Sequence, residues 1–311
     1  MTSHNKAQRS PKNLHGFSLI EMAVVLVIIG LVMGGVMGAL GPQLEQKKVR
    51  DTQERIKQAS EAIMAFAIAN RRLPCPASLD SKGDEQPVTS NTSGKCDDLK
   101  DGHGYVPART LGLGERGPNG IMQDGWGFGI RYAVTQVAYD GANNDKCNND
   151  INCNKDNSNN YKNNYNSSNN NIGTCQGSSP CYPFTQEDGI KNAYFNNGRA
   201  VQRADQPLPE KLLQVCASST GITTTACGSD NPPANRVVPP AFIVWSTARN
   251  GAEPSDVVIR PDEFANLNGD IVYVSHSRTE TGASNGAFDD LLQWRTVATV
   301  FQDMINMGIL K

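Results

Sequence analysis

Between Phe17 and Gly41 the chain runs 25 residues with a single ionisable side chain, Glu21. As a helix rising 1.5 Å per residue this stretch reaches about 37 Å, enough to cross the hydrocarbon core of a bilayer. A helix that is apolar all round has to be enclosed on every side, by lipid or by other helices. The residues before it are polar and basic, with Lys6, Arg9 and Lys12, a distribution that holds that end in the cytoplasm and sends the rest outward. The run is longer than the apolar part of an ordinary secretory signal, about 7 to 15 residues. A carboxylate inside such a helix costs roughly 2.5 to 3.5 kcal/mol on insertion scales, so it persists where something depends on it. A plain anchor has no use for Glu21.

The junction Gly16-Phe17-Ser18-Leu19-Ile20-Glu21 resembles the type IV prepilin signature, shared by type IV pilins and type II secretion pseudopilins. The resemblance implies that prepilin peptidase cuts between Gly16 and Phe17 and that Phe17 becomes the N-methylated first residue. It implies that Glu21 neutralises the N-terminal amine of a neighbouring subunit during assembly. The implied partners are other pilin or pseudopilin subunits, the peptidase and an inner-membrane assembly platform. The implied location is the bacterial inner membrane for the precursor, with its head in the periplasm, and then a filament that for a pilus lies at the cell surface. Gly30, Gly34 and Gly38 recur every four residues and so line one helical face, where small residues let helices approach closely. The same spacing serves generic membrane dimerisation. Because each glycine weakens a helix by up to about 1 kcal/mol and Pro42 lacks a donor, the stretch 34–42 is expected to unwind locally.

After Pro42 an amphipathic pattern follows, with Val49, Ile56, Ile63 and Asn70 seven apart and Ala59 and Phe66 on the same stripe. This stripe is expected to dock on a sheet, and i,i+4 pairs such as Lys57 with Glu61 to lie in water. The helix should stop at Arg71-Arg72-Leu73-Pro74, because the residue before a proline is pushed out of helical geometry. The organisation expected is a leader at 1–16, an apolar assembly helix at 17–41, its amphipathic continuation at 42–72 and a globular head at 73–311. Strands are expected over Ile130 to Tyr139, Ala241 to Ala248 and Asp270 to His276. The tail from Phe288 to Met307 reads as a helix, although Arg295 to Phe301 also alternates like a strand. The element Asp124-Gly-Trp-Gly127 is similar to the entry to the first sheet strand of major pseudopilins, with Trp126 as a core anchor. Within an insertion at 140–173, residues 143–171 hold 15 asparagines in 29 positions, a composition that cannot form a packed core.

All eight cysteines lie beyond the apolar run: Cys75, Cys96, Cys147, Cys153, Cys175, Cys181, Cys216 and Cys227. An even number in that position points to disulfides in an oxidising compartment. Eight cysteines allow 105 pairings; loop closure favours neighbours, Cys75 with Cys96, Cys147 with Cys153, Cys175 with Cys181 and Cys216 with Cys227. Zinc is disfavoured, since no CxxC occurs and histidine is scarce. Calcium finds oxygen donors at Asp80 to Glu85, at Asp97, Asp98 and Asp101, and from Asn266 to Asp270, in turns that also read as ordinary Asx turns. No cofactor is expected. Losing Lys6, Arg9 and Lys12 from 29 basic against 31 acidic residues moves the formal charge from −2 to −5, which argues against nucleic acid as the main partner. Beyond the leader only His103 and His276 remain as imidazoles, and neither sits in a Ser, His, Asp arrangement, so an enzyme is not expected.

The sequence therefore predicts an α+β, pilin-like fold, in which a long N-terminal helix packs on a small antiparallel sheet with disulfide-closed loops. The function expected is that of a filament subunit, with a membrane-anchored surface adhesin that does not polymerise as the alternative.

Overall fold

The computed structural model of the 311-residue chain describes residues 18–86, 96, 102–114, 117, 119–135, 153–155, 161–163, 184–185, 189–190, 212–228, 239–251 and 260–310, with the backbone alone at 34–40, 153–155, 161–163 and 250. The chain divides into two compact units, Met1–Lys47 and Lys48–Lys311. Helix α1, Leu19–Asn70, is 52 residues long and continues through Pro42. The unwinding expected at 34–42 is absent. A proline deletes one ladder bond and crowds the carbonyl four residues back, and here that position is Gly38, whose backbone no side chain restricts.

In the second unit α1 buries Thr52, Ile56, Ala59, Ser60, Ile63, Met64 and Ala67, steps of three and four residues. The expected stripe is correct at Ile56, Ala59 and Ile63, but Val49 and Phe66 are half-buried and Asn70 is exposed. A strict seven-residue repeat drifts about 20° per heptad on a straight helix, so its ends rotate off the docked face. Asn70 instead donates from Nδ2 to the Phe66 carbonyl at 2.9 Å. The Arg72 guanidinium covers the Phe66 ring, 4.9 Å from its centre. The helix ends where Arg71 takes φ +56°, and Leu73 then turns fully inward.

The sheet expected from the sequence is four-stranded, in the order β1 (His103–Tyr105), β2 (Arg131–Val134), β6 (Pro240–Ser246), β8 (Leu291–Thr296). All its pairings are antiparallel. A further pair, β3 (Cys153–Lys155) with β4 (Tyr161–Asn163), lies within the Asn-rich tract. A parallel pair joins β5 (Gln214–Cys216) to β7 (Val272–Val274). Strand β6 reads Pro-Ala-Phe-Ile-Val-Trp-Ser and is buried at every residue. A continuous apolar run of this kind belongs to a strand covered on both faces.

On one face Phe242 and Val244 join Ile56, Ile63, Tyr132, Val300 and Met304 in the larger core. On the other, Ile243 and Trp245 join Ala133, Val215, Val272 and Tyr273, with the Trp245 and Tyr273 rings edge to face at 5.0 Å. Trp245 is among the largest fully enclosed side chains, whereas Trp126 is half-buried. The anchoring role expected of Trp126 falls to Trp245, because β6 lies between two layers and the Trp126 loop lies beside α1.

The tail resolves into both of its readings. Its first part is strand β8, paired to β6, and only then comes helix α3, Val297–Asn306, with Thr296 as N-cap accepting from the Thr299 amide at 3.2 Å. The predicted helix from Phe288 thus begins nine residues late; an exposed edge of β6 claims the residues before Thr296. A short helix α2, Pro261–Ala265, precedes β7. Cys75 is bonded to Cys96 and Cys216 to Cys227. Cys147, Cys175 and Cys181 lie outside the described residues, as does the Cys153 side chain.

The Asp124 loop is fastened to α1 from both sides. Arg55 donates to the Gln123 carbonyl at 2.6 Å, and the Gly125 amide donates to Thr52 Oγ1 at 2.8 Å. Gly125 tolerates no side chain, since a Cβ there would stand 2.6 Å from the Lys48 carbonyl oxygen. The buried Asp124 carboxylate accepts from the Trp126 and Phe128 amides, both at 2.9 Å, and from Ser246 Oγ at 2.6 Å. Asp124→Ala leaves these three donors without their acceptor, and urea unfolding should show a loss of about 2–3 kcal/mol.

Candidate functional site

The candidate site begins at the first turn of α1. Ser18 stands before the helix and Glu21 is its third residue, the positions of a capping box. The Ser18 amide donates to Glu21 Oε2 at 2.8 Å, and the Glu21 amide donates to Ser18 Oγ at 3.2 Å. Both amides would otherwise be orphans of a helix start. The carboxylate is thus aimed back toward the helix N-terminus, where the partial positive charge of the helix favours an anion. The spacing Ser-x-x-Glu is the local signature of this box, and the same glutamate is the lone charge of the apolar run.

From Leu19 to Met33 every side chain is exposed, with Leu19 at 90 % and Leu31 at 73 %. The apolar residues cover the whole circumference, as expected of a helix that is enclosed by something other than its own chain. No helix among the described residues is long and apolar enough to cross a membrane; the described side chains of the apolar run stop at Met33. A Cβ added at Gly30 would meet nothing within 4 Å. Gly34 and Gly38 are helical, and Gly16 and Phe17 lie outside the described residues.

Residues 11–37 match the family described as the prokaryotic N-terminal methylation motif. The chain carries the signature of type IV pilins and pseudopilins. The motif spans the Gly16–Phe17 junction, the capping box and most of the exposed apolar run. No curated protein and no solved structure matches the chain.

Among the described residues, several oxygens of the turns with calcium-type donors already accept from the protein's own groups. Glu85 takes a two-toothed pair from Arg72 at 2.8 and 2.7 Å and also the Cys75 amide at 3.0 Å. Asp84 pairs with Arg109 at 3.3 Å. Asn268 and Asp270 form an Asx turn into β7, the Asp270 amide donating to Asn268 Oδ1 and the Val272 amide to Asp270 Oδ1. Asp97, Asp98 and Asp101 lie outside the described residues. His276, just past the end of β7, is half-buried; it binds Asp262 at 3.0 Å and stacks on Phe288, 4.0 Å between ring centres.

One acidic group that sequence reasoning missed is assembled by the fold: Glu263 of α2 with Asp289 and Asp290 ahead of β8, ligand atoms within 4.8 Å of one another. The three are far apart in sequence except for one neighbouring pair, so no local pattern announces them. Some of their oxygens are already engaged within the chain. Glu263 already accepts from Arg260 at 2.8 Å and from the Asp289 amide at 2.9 Å, and Asp290 accepts from Asn266 at 2.8 Å. Burial, and secondarily Glu263, raise the Asp289 pKa to about 6, and burial pushes Asp290 well above the usual carboxylate range.

A carboxyl whose pKa is raised by folding contributes stability at low pH that is lost as pH rises through the folded value. For Asp289 the window runs from about pH 4 to about pH 6. In the monomer, Asp289→Asn should therefore raise the melting temperature at pH 7.5 by about 2–4 °C, for roughly 1 kcal/mol after allowing for solvent screening. At pH 4 it should change little; thermal unfolding followed by circular dichroism at the two pH values checks both.

Proposed function

We propose that this chain is a structural subunit of a type IV pilus or a type II secretion pseudopilus, released from its leader between Gly16 and Phe17 and polymerised through α1. The observation that carries the reading is the first part of α1, apolar on every side, exposed from Leu19 to Met33 and bearing one carboxylate at its start.

Buried carboxylate and buried amine tolerate a low-dielectric surrounding only as a pair. Glu21 Oε2 serves the chain's own Ser18 amide, which holds the carboxylate facing the helix N-terminus, with Oε1 the oxygen offered to a second donor. That donor is the methylated amine of Phe17 from another subunit. The pairing fixes the axial step between neighbours, and burial of the apolar residues from Leu19 onward then holds the helices together. In the membrane the same residues face lipid, so the segment serves as anchor before it serves as filament core. The partners are other subunits, prepilin peptidase and an inner-membrane assembly platform. The large head with its Asn-rich insertion favours a minor or tip-associated subunit, exposed for adhesion.

Mass spectrometry of the mature N-terminus should find methylated Phe17; an intact leader would overturn the proposal. Glu21→Ala should be processed yet lost from the sheared surface fraction by about 100-fold or more, given about 3–5 kcal/mol for stranding one member of a buried ion pair. Ser18→Ala removes one half of the capping box and leaves the charge. It should cost about 1 kcal/mol at the helix start and keep incorporation, which separates capping from assembly.

A further inference from the structure

Among the described residues the four-stranded sheet has one closed edge and one open edge. At the β1 side, Ala77 and Tyr105 exchange backbone hydrogen bonds, both at 2.8 Å, and so cap the sheet. At the other side β8 is the last strand, laddered to β6 alone. An antiparallel edge strand turns alternate amides and carbonyls outward, a template for another strand. The six residues of β8, Leu-Leu-Gln-Trp-Arg-Thr, are all partly exposed and include neither lysine nor proline, the residues that commonly block such an edge. The ladder irregularity lies at Pro240 and Phe242, opposite the far end of β8.

The charges at the two ends of this strand are complementary to each other. Asp289 and Asp290 stand just before it, Arg295 near its end, and Leu292 falls midway between Asp289 and Arg295. Both charges have partners of opposite sign within the chain, at long range or in mixed company. Arg295 reaches Asp303 only at 4.0 Å, with its side chain 32 % exposed. Asp289 stands among Glu263 and Asp290 on one side and Arg249, Arg260 and Arg278 on the other, half-buried, with Oδ1 enclosed and without a hydrogen-bond donor. When two copies of β8 run antiparallel about Leu292, Asp289 of each falls opposite Arg295 of the other, and opposite residues share a face.

We propose that the open edge of β8 pairs two copies of this chain, antiparallel and two-fold about Leu292, with Asp289 of each copy facing Arg295 of the other. The result is one continuous eight-stranded sheet. A two-fold contact closes on itself, so it joins heads laterally and does not extend a helical filament. The inference is independent of leader cleavage and of helix polymerisation.

The test uses the full chain in detergent, with association read by light scattering after size-exclusion chromatography. The wild type should be dimeric. Asp289→Arg and Arg295→Asp should each weaken association by about tenfold or more, because each places like charges opposite one another twice. The double variant should recover it. Association that ignores both single variants would belong to the apolar helices and would overturn the proposal, as would a double variant that stays monomeric or a monomeric wild type. A measurement on the unaltered chain guards against misfolded variants. Asp289, surrounded by Glu263, Asp290, Arg249, Arg260 and Arg278, takes up its proton near pH 6. Dimerisation should therefore weaken as pH falls from 7.5 to 5, and a dimer equally tight at both values would overturn the pairing.

Discussion

Burial of β6 on both faces is the constraint on which the head depends. Phe242 and Val244 give α1 and α3 a surface to dock on, and Ile243 and Trp245 give β5 and β7 theirs. Either layer alone would leave alternate side chains of this strand in water. The strand also carries Ser246, whose hydroxyl reaches the buried Asp124 and so links the sheet to the loop that holds α1 through Thr52 and Arg55. A neutral donor to a buried carboxylate is a charge-assisted bond, about twice as strong as a neutral pair. Helix and sheet are therefore joined by packing along one face and by a small polar cluster at its margin.

The first half of α1 obeys the opposite rule. Its side chains from Leu19 to Met33 are all exposed and almost all apolar, as in a helix enclosed by something other than its own chain. Within it Glu21 is both a cap and a charge. The capping box accounts for why serine precedes it by three residues; the cost of a carboxylate in an apolar run is a separate constraint, which the proposed partner amine would meet. These are two separate requirements met by one side chain.

The acidic group at α2 and β8 shows a third kind of constraint. Glu263 is neutralised by Arg260, whereas Asp289 and Asp290 are left with raised pKa values. A head standing alone would be steadier without one of these charges at neutral pH, and groups of this kind gather where a protein meets something else. Their position beside the open edge of the sheet and opposite in sign to Arg295 gives the liability a use.

The sequence by itself determined what depends on near neighbours: the apolar helix with its lone carboxylate, the stop before Leu73-Pro74 and the β6 run; it favoured the short-range bonds Cys75 to Cys96 and Cys216 to Cys227, which the structure then showed. Each is written in spacing along the chain, so it can be read from one end to the other. Tertiary structure decided which face of α1 docks, because the sheet selects Thr52 and Ser60 over the seven-residue repeat. It decided that Leu291 to Thr296 is a strand and Val297 onward a helix, because β6 offers an edge to one and Thr296 a cap to the other. It also brought Glu263 to Asp289, and Trp245 to Tyr273, across many intervening residues. Those encounters follow from how layers stack on β6, and no local pattern encodes them.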